Sequence, residues 1–511
     1  MDGLDGAIFR LRAALRRVAH GRNVFVLLAA LVLIPVWQGR FVVEGAQIPE
    51  THLNYAGTGI HDEPRFFFFL NRLGLYPLKT TLPITTGTTA EARRLLKQGH
   101  ALLVDEYVTF RSGDRGRTYL YYADAWLEGR VVYPRLIWAN ALGFWLALSL
   151  LFTAFWWIRM PLVGVVAVLL LGSNPFQLYT TYLQENVFGW PITAALLLLA
   201  LHLPWMVERP KQTRLTWLLP IAAALLLATI RTIRSEASIM ALSAIVVYLT
   251  LGRATWKKRL VLALMFVVSF SLATRAYTAF FLRKFDKAHA VMVANGGTPY
   301  TGPLPVYHEV WHPLFCGLGD FDTKYGYTWD DRVAYTYALP ILRAEHGLKY
   351  TWDPSKYTFE ESYDGLGKYP IFFSEAPHYH DVIRDKVVGD IRRDPLWYLD
   401  ILRKRARRVL TETTPLALEG FGKRVHFSSE MLGIGCVPLA LFLVLTRRWA
   451  QLKMLVFTLP LSAPAFLVYS DKGMTYYGTY HLFGAAIFAT LLVGGLRRGR
   501  VRGPGGRLVH E

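Results

Sequence analysis

Ten apolar runs dominate this chain, at about 23–40, 136–157, 161–173, 187–206, 215–231, 236–252, 259–280, 431–446, 454–469 and 480–496. Most approach the roughly 20 residues an α-helix needs to cross the ~30 Å hydrocarbon core of a bilayer. In lipid the backbone must satisfy its own hydrogen bonds, so runs of this kind form helices. The expected fold is mainly α: a polytopic membrane protein with about ten transmembrane helices.

Orientation follows from the segments between the runs. Alternate threading places six of them on one side: the N-terminus, Arg159, "VERPKQTR", "GRATWKKR", "TRRWAQLK" and the tail "RRGRVRGPGGR". All six are basic, as cytoplasmic segments should be. Both termini are therefore expected in the cytoplasm. The basic opening followed by "VFVLLAALVLIPVW" has the outline of a signal peptide, but no small-x-small cleavage site follows the apolar run. An uncleaved first span is expected. The chain then divides into 1–40 (cytoplasmic N-terminus and first span), 41–135 (first extracytoplasmic segment), 136–280 (a transmembrane module), 281–430 (a large extracytoplasmic domain) and 431–511 (a C-terminal bundle and basic tail). The two outer segments are expected to be mixed or helical.

The formal net charge is +20. In a soluble protein that would suggest a nucleic-acid partner. Here much of the excess lies in short inner loops, so the bilayer is the partner and nucleic acid is not. The two cysteines, Cys316 and Cys436, offer neither a disulfide framework nor a zinc-finger spacing and are read as unpaired thiols. No internal repeat is visible, which counts against an inverted-repeat transporter. The Arg-, Ala- and Gly-rich composition fits a bacterial inner (plasma) membrane.

Within the first outer segment, "GIHDEPRFFFFLN" sets Asp62, Glu63 and Arg65 directly before four phenylalanines. The rings suit the membrane interface. A carboxylate held there can take a proton from an incoming hydroxyl, or can hold a divalent metal; a solvated turn is the plain alternative. Downstream, "TTAEARRLLKQGHALL" reads as an amphipathic helix, lying on the membrane or packed on the outer segment. Glu185 sits at the mouth of the fourth run, beside Gln184 and Asn186.

Arg231, Arg234 and Glu236 interrupt apolar sequence on the outer side, where the charge rule gives arginine no reason to be. Two arginines three apart lie on one helix face and can hold a phosphate or diphosphate. An Arg234–Glu236 loop pair is the alternative. In "YHEVWHPLFCGLGDFDTKYGYTWDDR", His308 and His312 are spaced for a metal if helical, whereas Pro313 and the glycines argue for a loop. Trp311, Tyr325 and the two histidines are candidate sugar or acceptor contacts. Asp394 and Pro395 read as the N-cap and first residue of a basic helix able to lie against headgroups. Lys472 and His481 lie towards the outer leaflet before and within the last run, and are candidate phosphate contacts, with a His481 that simply faces water as the alternative.

This layout resembles the GT-C class, polytopic glycosyltransferases that use lipid-phosphate-linked sugars. "HDEPRF" resembles the acidic start of the first outer loop in aminoarabinose and protein-mannosyl transferases. "LQENVFGW" is similar in place to the second acidic motif of the class, and "IRRDPLWYLDILRKRARRVL" resembles its Pro-x-x-Tyr-Leu helix. "YGTYHLFGAAIF" resembles a C-terminal segment of the class, with His481 where the class carries arginine. The resemblance implies Asp62 as catalytic base, Glu63 supporting it, and a role for Glu185. It implies a polyprenyl-phosphate sugar donor, an extracytoplasmic glycan, lipid or protein acceptor, and inversion by single displacement, with no cofactor required. An O-antigen ligase or polymerase and a transporter are the alternatives.

Overall fold

A computed structural model of the chain describes residues 21–47, 137–178, 189–207, 217–251, 254–294, 310–347, 378–411, 417–420, 423–426, 432–468 and 476–500, together with positions 116, 120 and 181. The described chain is mainly helical. Its β structure is one antiparallel pair, β1 (Ala417–Gly420) and β2 (Lys423–His426), with Ala417 opposite His426.

Four helical stretches are long and apolar enough to cross a membrane: Arg22–Gly39, Trp138–Trp157, Trp256–Arg283 and Trp449–Leu467. Six shorter apolar helices accompany them: Pro161–Ser173, Trp190–Met206, Leu218–Arg231, Ser235–Leu249, Gly433–Leu445 and Gly478–Val493. Each falls on one of the apolar runs. We label the elements α1 (Gly21–Gln47), α2 (Ile137–Trp157), α3 (Pro161–Ser173), α4 (Trp190–Met206), α5 (Leu218–Arg231), α6 (Met240–Leu249) and α7 (Trp256–Ala294). After them come α8 (Trp311–Leu318), α9 (Asp331–His346), α10 (Tyr379–Arg393), α11 (Pro395–Thr411), α12 (Leu432–Leu445), α13 (Trp449–Phe457) and α14 (Tyr476–Arg500). Pro161 and Pro191 stand in first turns, where a missing N–H costs nothing.

Two elements differ from expectation. The seventh run was expected to end near 280, yet α7 continues to Ala294. Its 39 residues span roughly 58 Å at ~1.5 Å per residue, well beyond the hydrocarbon core. "RKFDKAH" ends the apolar stretch without ending the helix, because it contains neither glycine nor proline. The ninth run, expected as one span, breaks at Thr458 into α13, a 3₁₀ turn (Leu459–Ser462) and a short helix (Ala463–Leu467). Pro460 and Pro464 explain the break. The Ser243 hydroxyl of α6 donates to the Phe457 carbonyl at 2.5 Å, serving an acceptor the interrupted helix leaves over.

The core of the bundle is apolar and continuous, running from Phe144, Leu148 and Leu151 through Leu196, Leu199 and Leu227 to Phe483 and Ile487. Its periphery is apolar too: Phe25 (70%), Leu33 (66%), Val36 (71%) and Leu272 (60%) stand exposed. A surface of this kind is suited to lipid rather than water. One end of the bundle carries basic–aromatic and basic–carbonyl contacts. Arg22 stacks over Trp156, Lys258 over Trp217, and Lys453 donates to the Thr250 carbonyl at 2.8 Å. Inside the bundle His202 of α4 joins the Leu198 carbonyl (2.7 Å) and the Tyr248 hydroxyl of α6 (2.8 Å).

Helices α8 to α11 form a second body with a strap, residues 319–330, between α8 and α9. The α11 helix returns the chain to the bundle, packing on α12 and on Ala463–Leu467. The two-helix reading around Asp394 holds: the Asp394 carboxylate accepts from the Trp397 N–H at 3.1 Å, and Pro395 begins α11.

Candidate functional site

The end of the bundle opposite the basic contacts is polar and buried. Gln38 of α1 donates to the Gly172 carbonyl at the end of α3 (2.8 Å). Asn140, at the start of α2, donates to the Thr181 carbonyl (3.0 Å) and accepts from the Trp190 indole at the start of α4 (2.8 Å). The Trp190 ring reaches α2 because residue 143 is glycine; a methyl group there would meet the indole at 2.8 Å. These bonds tie the Gln38 turn of α1 to the end of α3, and the start of α2 to the start of α4. Ser173, Gln177 and Thr181 are buried at the same end, and the first turns of α14, packed on α3 and on the Pro175–Leu178 turn, add buried Thr479. Among the described residues, the side-chain polar atoms of Ser173, Gln177, Thr181 and Thr479 find no hydrogen-bond partner. Each such atom costs about 1–3 kcal/mol unless a partner satisfies it. These uncharged polar groups are gathered at the same end of the bundle. Sequence reasoning missed them, because each is a lone polar residue at the edge of an apolar run.

The turn between α5 and α6 carries the outer arginines. Helix α5 ends at Arg231, and Arg234 adopts extended backbone (φ −146°, ψ 116°) before a 3₁₀ helix, Ser235–Ile239. The two arginines therefore do not share a helix face as expected; the helix stops between them. Arg234 pairs with Glu236, the loop pair named as the alternative. Among the described residues Arg231 makes no ion pair, which leaves it the more available cation. The Gly116 N–H donates to the Thr232 carbonyl at 2.7 Å. This bond ties residue 116 to the turn.

In the helical body, Trp311 and His312 begin α8, which is a helix rather than the expected loop. Pro313 is accommodated because it falls in the first turn. His312 is buried, stacked on Tyr335 (5.4 Å, 17°), with Nδ1 2.6 Å from the Tyr379 hydroxyl and Nε2 3.1 Å from Asp331 Oδ1. Cys316 lies one turn along, its sulfur 3.9 Å from His312 Nε2 and 3.8 Å from Asp331. Burial, and then the Asp331 carboxylate, push the Cys316 thiol above its ordinary range. These three residues can hold a metal. A free acceptor-binding role for His312 does not match this burial; its ring is enclosed by Tyr335, Tyr379 and Asp331.

The strap is tied to α10 and α11 along its length. Asp320 pairs with Arg405 (3.3 Å), Asp322 accepts from the Trp397 indole (3.3 Å), Lys324 pairs with Asp394 (2.5 Å), and the Tyr327 hydroxyl donates to Asp390 (3.0 Å). The Lys324 ammonium holds the Asp394 carboxyl below its ordinary range. Tyr325 has a left-handed backbone (φ 60°), its carbonyl accepts from Lys386 at 3.0 Å, and its ring stands edge-on to Trp397 at 5.1 Å. That ring is half-buried, as is Trp311.

His481 was expected either to contact phosphate or to face water. It is instead fully buried in α14, with its ring donating to the Val409 carbonyl. A methyl group at Gly433 would lie 2.5 Å from both His481 Nε2 and the Leu410 carbonyl. His481 is thus a joint between α11, α12 and α14, which corrects the expectation. Asp62, Glu63, Arg65, Glu185, His308 and Lys472 lie outside the described residues, as does the "TTAEARRLLKQGHALL" helix.

By its fold the chain is a mainly helical protein with the apolar helices of a membrane protein. Comparison with protein-family models, with curated proteins and with solved structures gives no match at any of the three levels.

Proposed function

We propose that this chain is a polytopic membrane glycosyltransferase of the GT-C type. It moves a sugar from a polyprenyl-phosphate donor to an extracytoplasmic glycan, lipid or protein acceptor, with inversion. In this reading all ten apolar helices cross a bacterial inner membrane and both termini are cytoplasmic. The shorter helices cross a locally thinned bilayer or do so with their flanking turns.

One observation carries the reading: the buried polar side chains of Ser173, Gln177, Thr181 and Thr479, whose polar atoms lack partners among the described residues. The segment holding Asp62 and Glu63 leads into the start of α2, and the segment holding Glu185 joins the end of α3 to the start of α4, so both are tethered to helix ends near these residues. A sugar phosphate offers the donors and acceptors these side chains lack. Arg231, supported by Arg234 and by Arg65 and Lys472, neutralises the phosphate leaving group. Asp62 takes the proton of the acceptor hydroxyl, with Glu63 beside it and Glu185 as the second acid. No cofactor is needed for this displacement, and the carboxylates can accommodate a divalent metal.

The test is a transfer assay with purified protein, a panel of radiolabelled polyprenyl-phosphate sugars and a crude acceptor extract. The wild type should transfer label, and Asp62→Ala should lose at least ~100-fold, the lower end of what a general base supplies. Equal transfer by the variant would move the reading to an O-antigen ligase or polymerase. Donor flux without acceptor would move it to a transporter.

A further inference from the structure

The group His312, Cys316 and Asp331 is unrelated to the sugar chemistry above and has the shape of a metal site. His312 and Cys316 are one turn apart on α8, so they share a face. Asp331 opens α9, and its carboxylate closes the triangle. The three edges are 3.1 Å (His312 Nε2 to Asp331 Oδ1), 3.9 Å (Cys316 Sγ to His312 Nε2) and 3.8 Å (Cys316 Sγ to Asp331 Oδ1). A tetrahedral zinc ion has bonds of about 2.0–2.2 Å to nitrogen and oxygen and ~2.3 Å to sulfur. Those lengths set edges of roughly 3.3–3.5 Å between nitrogen and oxygen and about 3.5–3.7 Å to sulfur. The observed triangle differs from one face of that tetrahedron by only a few tenths of an ångström.

The surroundings fit as well. With Nε2 on a metal, the ring proton resides on Nδ1, which faces the Tyr379 oxygen at 2.6 Å. A hydrogen bond at that place fixes the tautomer and the ring direction of metal-bound histidines. Tyr335, stacked on the imidazole, fixes its plane. A thiolate, an imidazole and a carboxylate favour a borderline-soft ion over the hard cations, which take oxygen ligands. The Asp331 side chain is 52% exposed whereas His312 is 5% exposed, so the triangle opens to solvent on the carboxylate side.

We propose that His312 Nε2, Cys316 Sγ and Asp331 Oδ1 bind one Zn²⁺ or similar divalent transition-metal ion, with a fourth, solvent-facing position taken by water. The ion replaces the His312–Asp331 hydrogen bond, and the Cys316 thiol releases its proton to buffer on binding. The site clamps α8 to the start of α9 and, through Tyr379, to α10. Three protein ligands with an open fourth position is the arrangement that leaves a metal able to bind an oxygen ligand.

The experiment is a Co²⁺ titration of chelator-stripped, tag-free full-length protein in detergent. Expected are one equivalent per chain, tetrahedral d–d bands, a thiolate-to-cobalt charge-transfer band, and displacement of all of these by Zn²⁺. The chain has only two cysteines, so a band that persists in Cys436→Ser assigns the sulfur to Cys316 even where Cys316→Ser fails to fold. Asp331→Asn, on a half-exposed side chain, should weaken Co²⁺ binding at least tenfold with helical circular dichroism unchanged. Absence of the thiolate band in folded wild type, its loss in Cys436→Ser, or unchanged affinity in Asp331→Asn would each overturn the site.

Discussion

At the scale of single residues, Arg405 is a costly placement. Its side chain is fully buried, and its one bond to a carboxylate runs from Nε to Asp320, itself almost fully buried. Both terminal guanidinium nitrogens lack a hydrogen-bond partner among the described residues. Burial draws the guanidinium below its ordinary value, and the Asp320 charge opposes that shift. Such a pair adds little net stability, because desolvation offsets the Coulomb gain, yet removing one partner strands the other. Asp320→Asn is expected to destabilise the helical body by about 3–5 kcal/mol. The double variant Asp320→Asn with Arg405→Met should recover a large part of that loss, since an apolar side chain of similar length leaves no buried charge. Thermal unfolding of the detergent-solubilised protein measures both. A double variant as unstable as the two losses summed would show that Arg405 packs chiefly through its stem.

At the scale of elements, α11 is the helix whose two faces differ most. Trp397, Ile401, Arg405 and Val409 are buried, while Leu396 (75%) and Leu399 (57%) stand exposed. The exposed face also carries Arg403 and Lys404, and both pair with Asp400, which muffles the one acid there. Leucines in a basic setting suit an interfacial helix, with apolar side chains among acyl chains and cations at headgroups. A nitroxide at Leu399→Cys in lipid nanodiscs should be more accessible to oxygen than to a polar nickel chelate. One at Asp385→Cys on α10, exposed and acidic, should show the reverse. Equal behaviour at the two positions would place α11 in water.

The α10–α11 boundary was legible in the sequence because an N-cap aspartate and an N1 proline are local signals. Helix positions in the bundle were legible because lipid forces apolar runs into helices. The polar contacts were not. Asn140 meets Trp190 across 50 residues and Gln38 meets Gly172 across 134. Asp331 reaches His312 from 19 residues away and from a different helix. No periodicity encodes a pairing between separate elements. The break after Arg231 matches the expected boundary between the runs 215–231 and 236–252, but the shared face of Arg231 and Arg234 does not hold: a three-residue spacing implies one face only while the helix continues, and Arg234 lies beyond its end in extended backbone.

At the scale of the whole molecule, the two ends of the bundle are chemically opposite. One end gathers Arg22, Lys258, Arg259 and Lys453 against indoles and helix-terminal carbonyls. The other gathers uncharged polar groups and the turn that holds Gly116. Loops rich in Lys and Arg are retained in the cytoplasm, so the basic end is expected inside and the helical body of α8 to α11 outside. The protein is suited to a direct test, because both native cysteines are buried and give little background. Trp329→Cys places a thiol on an exposed strap residue (47%), and Thr255→Cys places one on an exposed residue beside the basic end. A membrane-impermeant maleimide added to intact cells with permeabilised outer envelopes should label Trp329→Cys and spare Thr255→Cys. Lysis should make both reactive. The opposite pattern would invert the molecule, put the polar cluster in the cytoplasm, and remove the lipid-linked donor reading along with it, since that donor is presented from the outer leaflet. Labelling of both before lysis would mean that one of the short helices fails to cross, and the first to re-examine would be α6, whose ten residues need the preceding 3₁₀ turn to approach the length of a span.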